Sequence, residues 1–233
     1  MTVAERNRRR TPRVWDTDWL MLRGLAGAIE DQLRRSVASG ARLLDFGCGS
    51  MPYRALVEQR GAIYVGADFD AEGAIAIAGD GSLPVADASI DAVLSVQVLE
   101  HVRDLDRYLG EAGRVLKKEG VLILSTHGTW LYHPHPEDHR RWTRTGLVAD
   151  LEARGFRVEE IEAIAGPLAT TTLIRLAGYA HFLRRVPLVG GAMARSLAVL
   201  MNARAWLEDR ITPAALTRDN GCIYMTRCVK AAA

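Results

Sequence analysis

At 233 residues the chain is long enough for one sizeable α/β domain carrying an elaboration. Apolar residues make up 48% and charged residues 25%, an ordinary globular balance. A formal net charge of +2 is too small to imply a nucleic-acid partner.

The positive excess sits largely in the N-terminal run from Arg6 to Arg13, which reads as a solvated arm. No apolar stretch of secretory type follows it. The three cysteines, Cys48, Cys222 and Cys228, are odd in number and lack metal-ligand spacing, which suits a reducing cytoplasm. From Asp16 to Val37, apolar residues recur every three or four positions. The pattern predicts an amphipathic helix capped by Asp16 or Thr17. "ARLLDFG" follows as a short buried strand.

Further strand-like runs are "AIYVGAD", "AIAIAG", "IDAVLSV", "GVLILST", "FRVEEIEAI" and "CIYMTRCV". Helical patterns lie between most of them, at Pro52–Arg60, Asp104–Leu116 and Thr143–Arg154. Such alternation predicts a mostly parallel sheet covered on both faces. Between "YVGAD" and "AIAIAG" too few residues remain for a crossover helix, so the third strand must be short or reached by a tight loop. Between Gly166 and Asn220 no strand pattern appears. Helical stretches around Leu168–Leu183 and Ala192–Arg210 are separated by the breaker "RRVPLVGG". The expected organisation is therefore an arm and helix over 1–40, a core over 41–166 and 221–233, and a helical insertion over 167–220. "LATTTLIRLAGYAHFL" is broken by Arg175 and too short to span a bilayer.

The stretch "LLDFGCGSMPY" puts a glycine turn at a strand end, where ligands of open parallel sheets bind. Its glycines alone are a weak signal, because Pro52 occupies the sixth position of a dinucleotide G-x-G-x-x-G. Asp45 also opposes a pyrophosphate. An acid suits a ligand with cationic groups beside a nucleoside, and S-adenosylmethionine is such a ligand. Asp68, about twenty residues beyond Gly49, stands at the spacing at which an acid reaches ribose hydroxyls. Asp80 is expected to end the next strand, near the adenine edge.

Together, "LLDFGCGSMPY", "YVGADFD", "GDGSLPVADASIDAVLSVQVLEHV" and "EAGRVLKKEGVLILSTHG" resemble the class I S-adenosylmethionine-dependent methyltransferases, in the branch called type 11. The resemblance runs from about Arg42 to Val158. It implies a Rossmann-like fold with a seven-stranded, mostly parallel sheet whose antiparallel last strand, "CIYMTRCV", inserts beside "GVLILST". It further implies that Asp45, Gly47 and Gly49 border the methionine moiety and Asp68 the ribose. Asp80 and Gly81 would flank the adenine, with Gln97 at the methyl-donor end. Met51-Pro52 departs from the family by replacing a third small residue.

The loop "THGTWLYHPHPEDHRRWT" holds His127, His133, His135 and His139, four of the six histidines. Three readings compete. Histidines with Glu137 or Asp138 could supply a general base, with His139 or His133 foremost. Alternatively, Asp138 and Arg141 pin the loop while Thr143 caps the next helix. A metal site is the third reading, but no paired His spacing is followed by a firm third ligand, so no metal is assigned. His101 is expected to hydrogen-bond locally near the cofactor, and His181 to lie on a helix surface or in the core. The expected function is methyl transfer to a small-molecule, glycan or lipid-linked acceptor, with a hydroxyl preferred. N-methylation of a small amine, or cofactor binding without turnover, are the alternatives. Nucleic acid is disfavoured, since no acceptor clamp or basic face accompanies the crevice. The apolar insertion suggests a homodimer first, then an apolar acceptor, then a membrane surface.

Overall fold

The computed structural model describes residues 8–69, 72–134 and 137–231. Its elements are α1 (Trp19–Ser36), β1 (Arg42–Phe46), α2 (Arg54–Glu58), β2 (Ile63–Asp68), β3 (Ile75–Ala76) and β4 (Ile90–Val96). A 3-10 turn over Leu99–His101 leads to α3 (Leu105–Val115), β5 (Leu116–His127), α4 (Arg144–Glu152) and β6 (Phe156–Ile164). The chain closes with α5 (Pro167–Leu183), α6 (Gly190–Ile211), α7 (Ala214–Asp219) and β7 (Ile223–Lys230).

One seven-stranded sheet has the order β3-β2-β1-β4-β5-β7-β6. β1 pairs parallel with β2 and β4, and β4 with β5. The last strand in sequence, β7, inserts between β5 and β6 and runs antiparallel to both. This is the fold that the sequence resemblance implies. β3 is only two residues long, as the short connection requires.

Alternation of side chains along each strand splits the core between the sheet's faces. Leu43, Leu94 and Ile123 face a layer with α1, α2 and α5. Leu44, Val93 and Leu122 face α3 and α4. From Val121 to His127, β5 is buried throughout, as befits a central strand covered on both sides. α5 and α6 pack on each other through small residues, with Ala180, Ala194 and Ala198 buried beside Leu176.

Several boundaries differ from the sequence reading. The first long helix begins at Trp19, and neither Asp16 nor Thr17 caps it; the preceding Asp18 makes no side-chain cap. Asp16 instead accepts the backbone N–H of Arg13 (2.8 Å). Thr143 does cap α4, its hydroxyl accepting from the N–H of Gly146 (3.1 Å). α7 was not foreseen, because six residues are too few to show a helical period. The apolar residues of the insertion divide: Leu173 and Leu176 are buried, whereas Phe182 and Leu200 are exposed. His181 lies exposed on α5. Among the described residues, no helix is long and apolar enough to cross a membrane.

Candidate active site

The carboxyl ends of β1, β2 and β4 open into a cavity of about 580 Å³, within the roughly 300–1,000 Å³ usual for small-molecule sites. Asp45, Gly47, Gly49, Asp68, Asp80, Gly81 and Gln97 all line it. The chain reverses sharply at Gly47, with φ at +84°, and a Cβ there would stand 2.6 Å from the Val98 side chain. Glycine is thus required both for the conformation and for the close approach of the turn to the end of β4. Met51 takes the left-handed conformation too, at φ +57°, and is buried. The helix therefore starts only at Arg54, after Pro52 has joined the cavity wall. That is the local consequence of Met51-Pro52.

Two carboxylates hold the turn. Tyr64 donates its hydroxyl to Asp45 Oδ2 (2.6 Å), and the N–H of Gly49 donates to Asp68 Oδ2 (2.8 Å). Asp45 is buried, and loss of solvation pushes its carboxyl up to about 7. The Tyr64 hydrogen bond opposes that rise, nearby Asp68 adds to it, and Arg9 pulls it back. Arg9 lies on the cavity wall, and its neighbour Arg8 pairs with Asp18 and Asp16. The described part of the basic arm is thus folded back on the domain, with Arg9 partly buried while Arg8 and Arg13 stay exposed. Asn202, buried on α6, fastens the same segment by donating to the carbonyls of Val14 and Asp16 (2.7 and 2.8 Å).

Asp80 does not end a strand, as the sequence suggested. It lies in a turn four residues beyond β3, where Ser82 and Arg107 fix its carboxylate. Gln97, at φ +54°, donates to Ser125 Oγ (3.3 Å), while its Oε1 is buried without a hydrogen-bond partner. An orphaned acceptor on a cavity wall is a place for a ligand donor. Phe46 stacks on Tyr108 (4.1 Å between centroids), and the Tyr108 hydroxyl donates to the Phe46 carbonyl (2.9 Å), which stiffens the floor. A deep apolar cleft with acids at one end and an unsatisfied acceptor at the other fits an adenosine ligand bearing cations.

The histidines fall elsewhere than expected. Neither His133 nor His139 lines the cavity; His101 does. The Nδ1 of His101 lies 2.6 Å from the Glu137 carbonyl, an acceptor only, so Nδ1 carries the proton and Nε2 keeps its lone pair. His139 pairs with Glu137 (3.1 Å), and its N–H donates to the Glu100 carbonyl (2.8 Å). Asp138 accepts two bonds from the Arg141 guanidinium (2.5 and 2.7 Å) and one from the His133 N–H (2.8 Å). The Arg141 hydrogen bonds hold the Asp138 carboxyl well below the usual carboxylate range. These contacts pin the loop, as one of the three readings anticipated. His135 lies outside the described residues.

A methyltransferase-domain family, type 11, matches residues 44–124. The chain is 36% identical over 84 residues to a "Probable S-adenosylmethionine-dependent methyltransferase" of Mycolicibacterium smegmatis, covering 34% of this chain and 33% of that protein. It is 28% identical over 159 residues to the ubiquinone biosynthesis O-methyltransferase of Azorhizobium caulinodans, covering 52% and 61%. The matches thus span between a third and three fifths of these relatives' lengths. The fold is similar to Burkholderia thailandensis 1,6-didemethyltoxoflavin-N1-methyltransferase, solved with S-adenosylhomocysteine, at a TM-score of 0.57 and 13% identity. That likeness covers 90% of this chain and 79% of that one, and at such identity it speaks for the fold alone. Strand order and glycine turn agree with the fold the resemblance implies, and residues 44–124 are similar to the type 11 methyltransferase-domain family.

Proposed function

We propose that the protein transfers a methyl group from S-adenosylmethionine to a hydroxyl of a small-molecule, glycan or lipid-linked acceptor. The observation that carries this reading is the single cavity that gathers the glycine turn, Asp45, Asp68, Gln97 and His101. Bound cofactor supplies an activated methyl on a sulfonium. The chain's own part is to hold an acceptor oxygen about 3 Å from that methyl and to receive its proton. Asp45 and Arg9 stand where an ammonium and a carboxylate would be received. The Asp68 carboxylate, held by the Gly49 and Phe69 N–H groups with lone pairs to spare, suits the ribose, Gly81 and Asp80 the adenine edge, and Gln97 the methyl-donor end.

His101 is the histidine on the wall, with Nε2 free to accept, and we assign it the proton rather than His133 or His139. The ubiquinone O-methyltransferase relative favours an oxygen acceptor over an amine. Free, buried cysteines support a cytoplasmic location. The exposed apolar residues of α5 and α6 support a homodimer ahead of the other partners. The test is incubation with methyl-labelled S-adenosylmethionine and a small-molecule and glycan extract of the host. A labelled product with a methyl ether or ester bond is expected. A labelled amine would overturn the oxygen assignment, and no label transfer at all would overturn turnover itself.

A further inference from the structure

Behind the wall formed by His101, three side chains from separate segments converge: Glu100 in the 3-10 turn, His127 at the end of β5 and His133 in the following loop. His127 Nε2 lies 3.5 Å from Glu100 Oε1 and 3.2 Å from His133 Nε2. One ligand-type atom from each lies within 4.8 Å of the other two. Zinc–nitrogen and zinc–oxygen bonds of about 2.0–2.1 Å put tetrahedral ligand atoms about 3.4 Å apart. The two measured separations match that shell.

The charges point the same way. Glu100 is completely buried, and Thr126 donates to its Oε2 (2.8 Å). Its Oε1 has no hydrogen-bond partner, and among the described residues no lysine or arginine pairs with it. A buried carboxyl oxygen left without a partner is costly, and a bound cation would relieve that cost. The two imidazoles turn their Nε2 atoms toward each other at hydrogen-bonding distance, one donating and one accepting. One divalent cation between them would bind an oxygen of Glu100 and one nitrogen of each imidazole, displacing the proton shared by the rings. Around the three, Thr126 orients Glu100, and the Arg141–Asp138 clamp fixes the backbone of His133. Supporting hydrogen bonds of this kind orient the ligands of metal sites.

We propose that Glu100, His127 and His133 bind one divalent transition-metal ion of zinc type, which ties the loop after β5 to the end of β4. Two imidazoles and one carboxylate suit zinc better than magnesium or calcium, which prefer all-oxygen shells. His133 is only half-buried, so the fourth position opens on its side and takes a water or a polar ligand group. The sequence reading assigned no metal, because the ligands are scattered and the first of them lies outside the histidine loop.

The experiment uses the full chain, stripped with chelator and titrated with Zn²⁺ and with Co²⁺, whose visible bands report tetrahedral coordination. The expected result is one ion per chain, a tetrahedral Co²⁺ spectrum, and a melting temperature raised by Zn²⁺ but not by Mg²⁺. His133→Ala, at the half-buried position, should fold, keep cofactor affinity and lose at least about tenfold in metal affinity. Glu100→Gln, which keeps the side-chain shape, should weaken binding similarly if the alanine variant proves unstable. No uptake by the wild-type chain at micromolar metal would overturn the proposal. So would wild-type affinity and spectrum in both variants.

Discussion

On the β1–β2 side of the cavity, Asp45 meets Tyr64 and Asp68 meets the Gly49 N–H, in each case across 19 residues of one β-turn-helix-β unit. On the β4–β5 side, His101 is held by Glu137, 36 residues away, and Glu100 by Thr126, 26 away. The first region is a local unit whose parts can be recognised from spacing alone. The second is assembled only when β4, β5 and the histidine loop come together. The polar groups of the first region face a cavity, whereas those of the second are largely sealed beneath its wall. A ligand site can therefore be read from a motif, while the chemistry beside it depends on tertiary packing.

The sharpest way to break that contrast is at His101. Its replacement by alanine removes the only one of the described loop-side histidines that touches the cavity. Methyl transfer should fall about 10²–10⁴-fold while calorimetry shows cofactor affinity unchanged. His139→Ala, off the wall, should retain most of the rate. If His139→Ala loses the rate and His101→Ala does not, the assignment passes back to the loop.

Asp68→Ala tests the local unit. It removes both a proposed ribose acceptor and the acceptor of the Gly49 N–H, a loss of about 1.5–3 kcal/mol. S-adenosylmethionine binding should weaken at least about tenfold with the fold retained. Unchanged affinity in calorimetry would leave the end of β2 without its proposed role.

How much could be read beforehand follows the same division. The strands, the short third one and the glycine turn with Asp45 and Asp68 were legible, because apolar alternation and turn chemistry are written in contiguous sequence, whereas Gly81 and Gln97 came only from the resemblance. The inserted β7 came only from resemblance: period-2 alternation shows a strand but not its neighbours. Asp80 was misplaced by four residues, since "AIAIAG" carries more strand propensity than a two-residue edge can express. Arg9 was read as solvent-exposed because nothing local shows that Asn202, far along the chain, folds the arm back. Glu100 was missed for a similar reason. In sequence it is one more polar residue in a turn, and only the fold buries it against β5.

A smaller effect concerns helix α4, which carries the far end of the histidine loop. Thr143→Ala leaves the N–H of Gly146 without its side-chain acceptor, for an expected loss of about 1 kcal/mol in chemical denaturation. Because the Asp138–Arg141 clamp holds the loop independently, cofactor affinity should not change. A tenfold loss of affinity in this variant would show that the loop and the local unit are coupled, which the comparison denies.

The smallest effect is the pH dependence of Asp45, and it separates folding from binding. Burial raises its carboxyl to about 7, well above the usual carboxylate value of about 4. Between those values the folded chain holds a proton that the unfolded chain has lost. The contribution of this group to stability is therefore greatest at low pH and declines as pH rises toward 7. A cationic ligand beside Asp45 prefers the ionised form, so cofactor affinity should move oppositely. It should fall as pH drops below about 7, by at most about tenfold per unit for one proton, and level off above. Asp45→Asn cannot ionise. Titrations of the two proteins from pH 6 to 8 should show a slope for the wild type that the variant lacks. Parallel slopes would mean that the buried acid does not face the cofactor's charge, and that Tyr64 holds it only to shape the turn.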